Sequence, residues 1–338
     1  MRVLIVGGAG LIGSHLAKEL VEKDHEVTIL DGLINYLSPF DKAGQLPQTY
    51  LKRSWNIGDL LQLRFSGIRD KIQFIRGDIR HKGRFTEIIY KIRPHKIVLL
   101  AAIPLASESN IFTEDAFSVN TIGAVNILEV LRNADFVNQF IYTSSSMVYG
   151  DFKKIPCPES HDTDPLDIYG GTKLSGEVLT KVYSNQYDIP YTILRPSAVY
   201  GPTDVNRRVV QIFLENGFNK IPVKLHNGGE SRLDFTYVED TAHAFMLAME
   251  RSEAINETFN ITRGEDRSLK EMAELVKEYF PDLVIEYEDV TKGEKRSERG
   301  ALDITKAREY LGFEPQNSLE IGLDKYYNFL LDKKNRFF

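Results

Sequence analysis

The sequence predicts an α/β fold: a doubly wound parallel sheet with a smaller mixed α/β lobe toward the C-terminus. Three observations predict it. A β-branched, apolar run at the N-terminus passes directly into a glycine-rich turn and a helix. Strand-like runs then alternate with helix-like segments as far as about residue 200. Beyond Gly201 the alternation breaks into short, mixed pieces.

The first unit is Arg2-Val3-Leu4-Ile5-Val6, a run suited to a strand buried on both faces. Gly7-Gly8-Ala9-Gly10-Leu11-Ile12-Gly13 follows, and Ser14 to Lys23 reads as a helix. Glycines at 7, 10 and 13 permit a tight turn, close backbone approach to a pyrophosphate, and close packing of helix on strand. Phosphates bind at such a helix N-terminus because its first N–H groups have no partner within the helix. The second strand, Glu26 to Leu30, ends in Asp31, 24 positions after Gly7. A carboxylate at that distance grips a ribose 2′-hydroxyl and repels a 2′-phosphate, so the cofactor expected is NAD rather than NADP.

Gly32 to about Arg69 is longer than α/β connections usually are. With Tyr36, Tyr50, Trp55 and Phe65 it reads either as a segment folding over a ligand or as a packed surface insertion. Strands are expected at Ile72–Ile75, Lys96–Leu100, Phe140–Ser144 and Tyr191–Arg195, with a long helix over about Phe112–Asn133. In a doubly wound sheet, ligands bind at the carboxyl ends of the strands. Those ends hold the glycine loop, Asp31, Asp78, Ala101, Ser145 and Pro196. After Gly201, helices are expected at Val209–Asn216, Ser268–Tyr279, Thr305–Leu311 and Leu319–Lys333, with strand-like pieces at Val223–Leu225 and Val284–Tyr287. The expected division is a dinucleotide-binding domain over 1–200, to which 235–250 returns, and a substrate lobe made of 201–234 and 251–338.

Tyr169 and Lys173 open another helix, and a spacing of four puts both on one face. An ammonium beside a phenol favours the phenolate and lowers its pKa from about 10. Such a tyrosine can take a proton from a sugar or alcohol hydroxyl near neutral pH. The strand before it ends in Ser144-Ser145-Ser146, hydroxyls able to hold the reacting oxygen. Arg232 and Arg299, from distant segments, are candidates to grip a diphosphate, since a guanidinium offers paired donors. Arg208 joins them as a candidate on the substrate side.

Composition excludes several classes. A net charge of -6 with no basic cluster argues against a nucleic-acid partner. Cys157 is the only cysteine, which excludes a disulfide framework and a cysteine-built metal site. The seven histidines show no ligand spacing, and His15, His25 and His81 read as surface or packing residues, so no metal is expected. The chain enters a core strand at once, leaving no room for a signal peptide, and no apolar run approaches membrane-spanning length. The expected location is cytoplasmic.

Across essentially its whole length the chain resembles the extended short-chain dehydrogenase/reductases of the nucleotide-sugar epimerase and dehydratase group. The motifs are the glycine loop, Asp31, Gly77-Asp78-Ile79-Arg80, Leu100-Ala101-Ala102, Asn120 before Gly123, Ser144 to Gly150, and Tyr169 to Lys173. Leu194-Arg195-Pro196, Val199 to Pro202, Asp234 to Asp240 and Arg299 to Arg308 continue the match. The resemblance implies Ser145, Tyr169 and Lys173 as catalytic residues, with Ser145, Ser146, Arg208, Arg232 and Arg299 on the substrate. It places NAD against Gly7, Gly10, Leu11, Ile12, Gly13, Asp31, Asn35, Asp78, Ile79, Ala101, Ala102, Asn120, Tyr169, Lys173, Pro196 and Val199. It implies a nucleoside-diphosphate sugar as substrate and a homodimer built from the helices near 112–133 and 169–186.

In the mechanism so implied, Tyr169 takes the proton of the sugar 4-hydroxyl, Ser145 bonds the same oxygen, and Lys173 holds the ribose and lowers the tyrosine pKa. Dehydratases and decarboxylases of the group usually carry an acid just after the catalytic serine or threonine, where this chain has Ser146 and Met147. Epimerases acting at C3 and C5 place an extra acid–base residue there too. A 4-epimerase is the reading that survives, with a dehydratase, a decarboxylase or a simple oxidoreductase of the same family as alternatives. Pro104, Ala198 and Leu233 stand where many hexose 4-epimerases have lysine, asparagine and arginine, which leaves the sugar open.

Overall fold

The computed structural model describes residues 1–34, 57–288 and 297–333. Its first strand, β1 (Arg2–Val6), runs into α1 (Leu11–Glu22) and β2 (Glu26–Asp31). Next come α2 (Ile57–Arg64), β3 (Ile72–Arg76), α3 (Lys82–Ile92), β4 (Lys96–Leu99) and the short α4 (Ala106–Ile111). Helix α5 has three consecutive parts: Thr113–Ala116, a π-helical segment Phe117–Ile122, and Gly123–Leu131. It leads to β5 (Gln139–Thr143), α6 (Ile168–Tyr187) and β6 (Tyr191–Arg195).

The second half contributes α7 (Val209–Asn219), β7 (Val223–His226), β8 (Arg232–Asp234), α8 (Val238–Glu250) and β9 (Glu257–Asn260). It closes with β10 (Asp266–Ser268), α9 (Leu269–Tyr279), β11 (Ile285–Glu288), α10 (Thr305–Leu311) and α11 (Leu319–Asp332). Ser268 caps α9 through a complete capping box with Glu271.

The main sheet has seven strands in the order β3-β2-β1-β4-β5-β6-β9, and all of its pairings are parallel. Alternate residues face opposite sides, as a strand's twofold period requires. Val3 and Ile5 pack with Leu16 and Leu20 of α1 and Phe245 of α8. Leu4 and Val6 pack with Phe85 and Ile88 of α3 and Ile127 and Leu128 of α5. Strand order reverses between β1 and β4, so the connections leaving their carboxyl ends diverge and open a crevice.

The remaining elements form a smaller lobe. A parallel pair, β7–β11, and an antiparallel pair, β8–β10, pack with α7, α9 and α11 around Phe213, Leu214, Met272, Val276, Leu323 and Tyr326. Residues 257–260, expected in this lobe, instead pair with β6 as the seventh strand of the sheet. Helix α10 goes with them, its Ala307 and Leu311 packing in the same core as α1 and α8. The long segment after Asp31 is also not loop throughout, because Ile57–Arg64 is helical. Its Phe65 lies in the core rather than over a ligand, while Tyr36, Tyr50 and Trp55 fall outside the described residues.

Candidate active site

A cavity of about 800 Å³ lies where the sheet's carboxyl edge meets the lobe. At one end is the glycine loop. Gly7 has φ +80°, and a Cβ there would collide with the Ala101 backbone nitrogen at the end of β4. A Cβ on Gly13 would fall 2.6 Å from the Gly8 Cα, so only glycine lets α1 lie this close to the turn. Helix α1 starts without a side-chain cap, and Gly10, Leu11 and Ile12 line the cavity. The Asp31 carboxylate accepts the Ala9 N–H at 3.0 Å and the Leu33 N–H at 2.8 Å. Burial raises its pKa, against those two hydrogen bonds.

Asp78, Ile79, Ala101, Ala102, Pro196 and Val199 complete this end, so the expected cofactor residues converge with two exceptions. Asn35 lies outside the described residues. Asn120 is not on the cavity wall: its carbonyl accepts the Ile103 N–H at 2.9 Å, and its amide donates to Thr172 Oγ1 at 3.0 Å. It ties the loop after β4 to α6 beside Lys173, with both ends of its buried amide engaged.

Sequence reasoning missed Arg64. Its guanidinium is buried on the cavity wall and donates to the Ala9 carbonyl at 2.6 Å and the Thr203 carbonyl at 2.7 Å. Burial lowers its pKa to about 10, and Asp204 and Asp31 oppose that. The available signal was its i, i+4 spacing from Leu60 on one face of α2.

At the reacting end, Ser145 follows β5 and caps the 3₁₀ turn Ser146–Tyr149, its Oγ accepting the Met147 N–H at 3.2 Å. Ser146 donates to Ser197 Oγ at 3.0 Å. Tyr169 stands at the start of α6, which Asp167 caps through the Gly170 N–H at 2.7 Å, and it lines the cavity together with Ser145. Lys173, one turn on, donates from Nζ to the Thr143 carbonyl at 2.8 Å, with Nζ 5.8 Å from the Tyr169 ring centroid.

The electrostatics differ from the expectation that Lys173 depresses the tyrosine. Burial pushes the Tyr169 phenol above its ordinary value, and the groups pulling it back are the Arg208 guanidinium and the Ser145 hydrogen bond. Lys173 is itself lowered by burial to about 7, with Glu177 opposing. The physical reason is its direction: the ammonium is turned to the end of β5.

Of the three expected substrate arginines, the structure brings two together. Arg208 lines the cavity and pairs with the buried Asp204 at 3.2 Å. Arg299 also lines it; its Nε is buried without a partner, and burial lowers its pKa to about 10. Arg232 is turned away, paired outside the cavity with Asp266 and, at 3.3 Å, with Glu271. Successive strand residues face opposite sides, so in β8 it is Leu233 that reaches the cavity. Pro104 and Ala198 are on the wall as well.

A parallel sheet with a glycine-turn cradle, an acid at the end of β2 and a serine–tyrosine–lysine cluster across the same crevice defines a dinucleotide-dependent enzyme of the doubly wound α/β class. Residues 3–262 match the model of the NAD dependent epimerase/dehydratase family, and the chain belongs to that family. It is 30% identical to the UDP-glucose 4-epimerase of Mycolicibacterium smegmatis, over 98% of this chain and 99% of that protein. The structure of a UDP-glucose 4-epimerase from Thermotoga maritima with UDP-glucose superposes with a TM-score of 0.83 at 30% identity, covering 99% of this chain and 100% of that one. A UDP-glucuronic acid 4-epimerase from Bacillus cereus, in complex with UDP-glucuronic acid and NAD, gives 0.84 at 26% identity, covering 98% and 99%. The chain is thus an NAD-dependent enzyme, and the cradle at Gly7, Gly13 and Asp31 fits that cofactor. Among the described residues no helix is long and apolar enough to cross a membrane, and no acid or histidine cluster could hold a metal ion.

Proposed function

We propose that this enzyme inverts C4 of a nucleoside-diphosphate sugar by way of a transient 4-keto sugar. The observation that carries the reading is the meeting of Ser145, Tyr169 and Lys173 on one cavity wall, with Ser145 on a turn whose next residues, Ser146 and Met147, have no titratable acid. Bound NAD supplies a hydride acceptor that returns the hydride within the same cycle. Gly7, Gly10, Leu11, Ile12 and Gly13 hold its phosphates, Asp31 its adenine ribose, and Lys173 its nicotinamide ribose. Tyr169 takes the proton of the 4-hydroxyl, helped by the positive Arg208, and Ser145 donates to the same oxygen as it becomes a carbonyl. Arg208 and Arg299 hold the diphosphate, and Ser146 touches the sugar. The relatives named above support a UDP-linked sugar. The cavity wall does carry acids in Glu108 and Glu215, but neither belongs to the catalytic turn.

Incubation with UDP-, GDP-, CDP- and dTDP-sugars, uronates included, followed by NMR of the products tests this. The expected product is the 4-epimer, with no net NADH. A product lighter by water or by carbon dioxide, or NADH accumulating with turnover, would replace the reading with one of the family's other reactions.

The protein also acts as a homodimer in this reading. Phe117, Ile122, Val178 and Val182, on α5 and α6, are large apolar residues about half exposed, and a second copy packed on these helices would cover them. Sedimentation at twice the chain mass, lost in Val178→Asp, is the expected result.

A further inference from the structure

One buried side chain joins the two ends of the cavity. Arg64, the last residue of α2, reaches from the cofactor side to the segment between Gly201 and Arg208. Its Nη1 donates to the Ala9 carbonyl at 2.6 Å, its Nη2 to the Thr203 carbonyl at 2.7 Å, and its Nε to Thr203 Oγ1 at 3.3 Å. Ala9 is thereby held on both sides, because its N–H donates to Asp31 at 3.0 Å. Thr203 leads directly into Asp204, whose buried carboxylate accepts from Arg208 at 3.2 Å and from the Asn206 N–H at 3.0 Å. A continuous line of contacts runs from the glycine turn to Arg208.

The far end of that line is bent against its own preference. Thr203 has φ +68° and Arg207 has φ +53°. A β-branched residue in the left-handed region is an outlier, and such backbone persists only where its surroundings impose it. At Thr203 the imposing group is Arg64, which holds both the carbonyl and the hydroxyl. Burying a guanidinium also costs free energy that an apolar side chain would avoid, so packing alone does not call for an arginine here.

We propose that Arg64 is a positioning residue for substrate binding: from the cofactor turn it holds the Thr203–Asp204 corner so that Arg208 faces the cavity. This rests on the diphosphate role given to Arg208 in the proposed function, and the two fail in different ways. Calorimetry of the full-length, NAD-loaded protein with UDP, GDP, CDP and dTDP identifies the tightest of the four, which then serves as the probe. Arg64→Gln is expected to weaken its binding by about tenfold. In an Arg208→Ala background the same substitution should cost nothing further, because the group it positions is gone. In an Arg299→Ala background the full loss should remain. If Arg64→Gln does not fold, Arg64→Lys keeps the charge without the paired donors and should show the same pattern at a smaller size. Unchanged affinity in the variant that folds, or an equal loss in both backgrounds, would overturn the proposal, since a residue that merely supports the fold weakens binding whichever arginine is present. Arg208→Ala binding as tightly as the wild type, or no binding of any of the four to the wild type, would instead overturn the diphosphate reading and remove the target of Arg64 with it.

Discussion

The Lys173 ammonium meets the Thr143 carbonyl at 2.8 Å, so the lysine is anchored to the end of β5 while its helix neighbour Tyr169 lines the cavity with Ser145. Proton removal and ammonium placement are therefore separate jobs on one helix face. Tyr169→Phe should lower turnover by at least about 100-fold while NAD remains bound, because only the hydroxyl is lost. Steady-state rates, together with the nicotinamide absorbance of the purified variant, check both halves.

Asp31 spends one lone pair on Ala9 and one on Leu33, which fixes its carboxylate at the rim of the cofactor end. A fixed anion there repels a 2′-phosphate. Calorimetry should show NAD preferred over NADP by tenfold or more, on the order of 1.4 kcal/mol. Asp31→Ala should narrow that preference, and equal affinities in the wild type would remove Asp31 from the role.

Arg299 and Arg232 make a paired test, since both were candidates on the substrate and only Arg299 faces the cavity. Loss of a charge-assisted contact to a diphosphate costs about 1.5–3 kcal/mol. Arg299→Ala should therefore weaken UDP binding by roughly ten- to a hundredfold. Arg232→Ala should leave it unchanged.

Asp234 gives a pH signature. It accepts from Thr262 Oγ1 at 2.8 Å and from the Gly264 and Leu302 N–H groups at 3.1 Å, while its other oxygen has no partner. Burial raises its carboxyl from the ordinary 3.8 to about 7. Between those values the folded protein keeps a proton that the unfolded chain has released. The group's contribution is therefore complete below 3.8 and is lost as pH rises through about 7. Asp234→Asn cannot titrate. The wild type should lose melting temperature relative to this variant across that window, by about 2–4 °C for each kcal/mol. Parallel melting curves across the window would show that Asp234 does not titrate there.

The parallel sheet and the crevice at its strand ends were legible because alternation of strand and helix, glycine spacing and strand-end acids are local signals. What escaped was decided by contacts far away in sequence. Glu257–Asn260 is four residues long with Phe259 its one apolar residue, and only its pairing with Tyr191–Arg195 makes it part of the sheet. Arg232 and Leu233 differ by a single step of strand register, and sequence does not say which of two neighbours faces inward. Arg64 is a buried charge, contrary to the usual preference, paid for by carbonyls of Ala9 and Thr203 that are distant in the chain. Asn120 carries a family motif, yet here its side chain bonds Ile103 and Thr172 and is not on the cavity wall.

Strand β9 also bears on how the chain comes to be folded. During synthesis β1 to β6 leave the ribosome first, followed by α7, β7 and β8 of the lobe, then α8, and only then the last strand of the sheet. Until Asn260 has emerged, β6 presents an open parallel edge, and until α8 has emerged, the sheet face that carries α1 lacks its second cover. A nascent chain held at about residue 200 thus has one row of backbone groups and one apolar face exposed together. The nucleotide-binding half is thus closed by segments that come after the lobe has begun: α8 and β9 follow β7 and β8, and α10 follows β11.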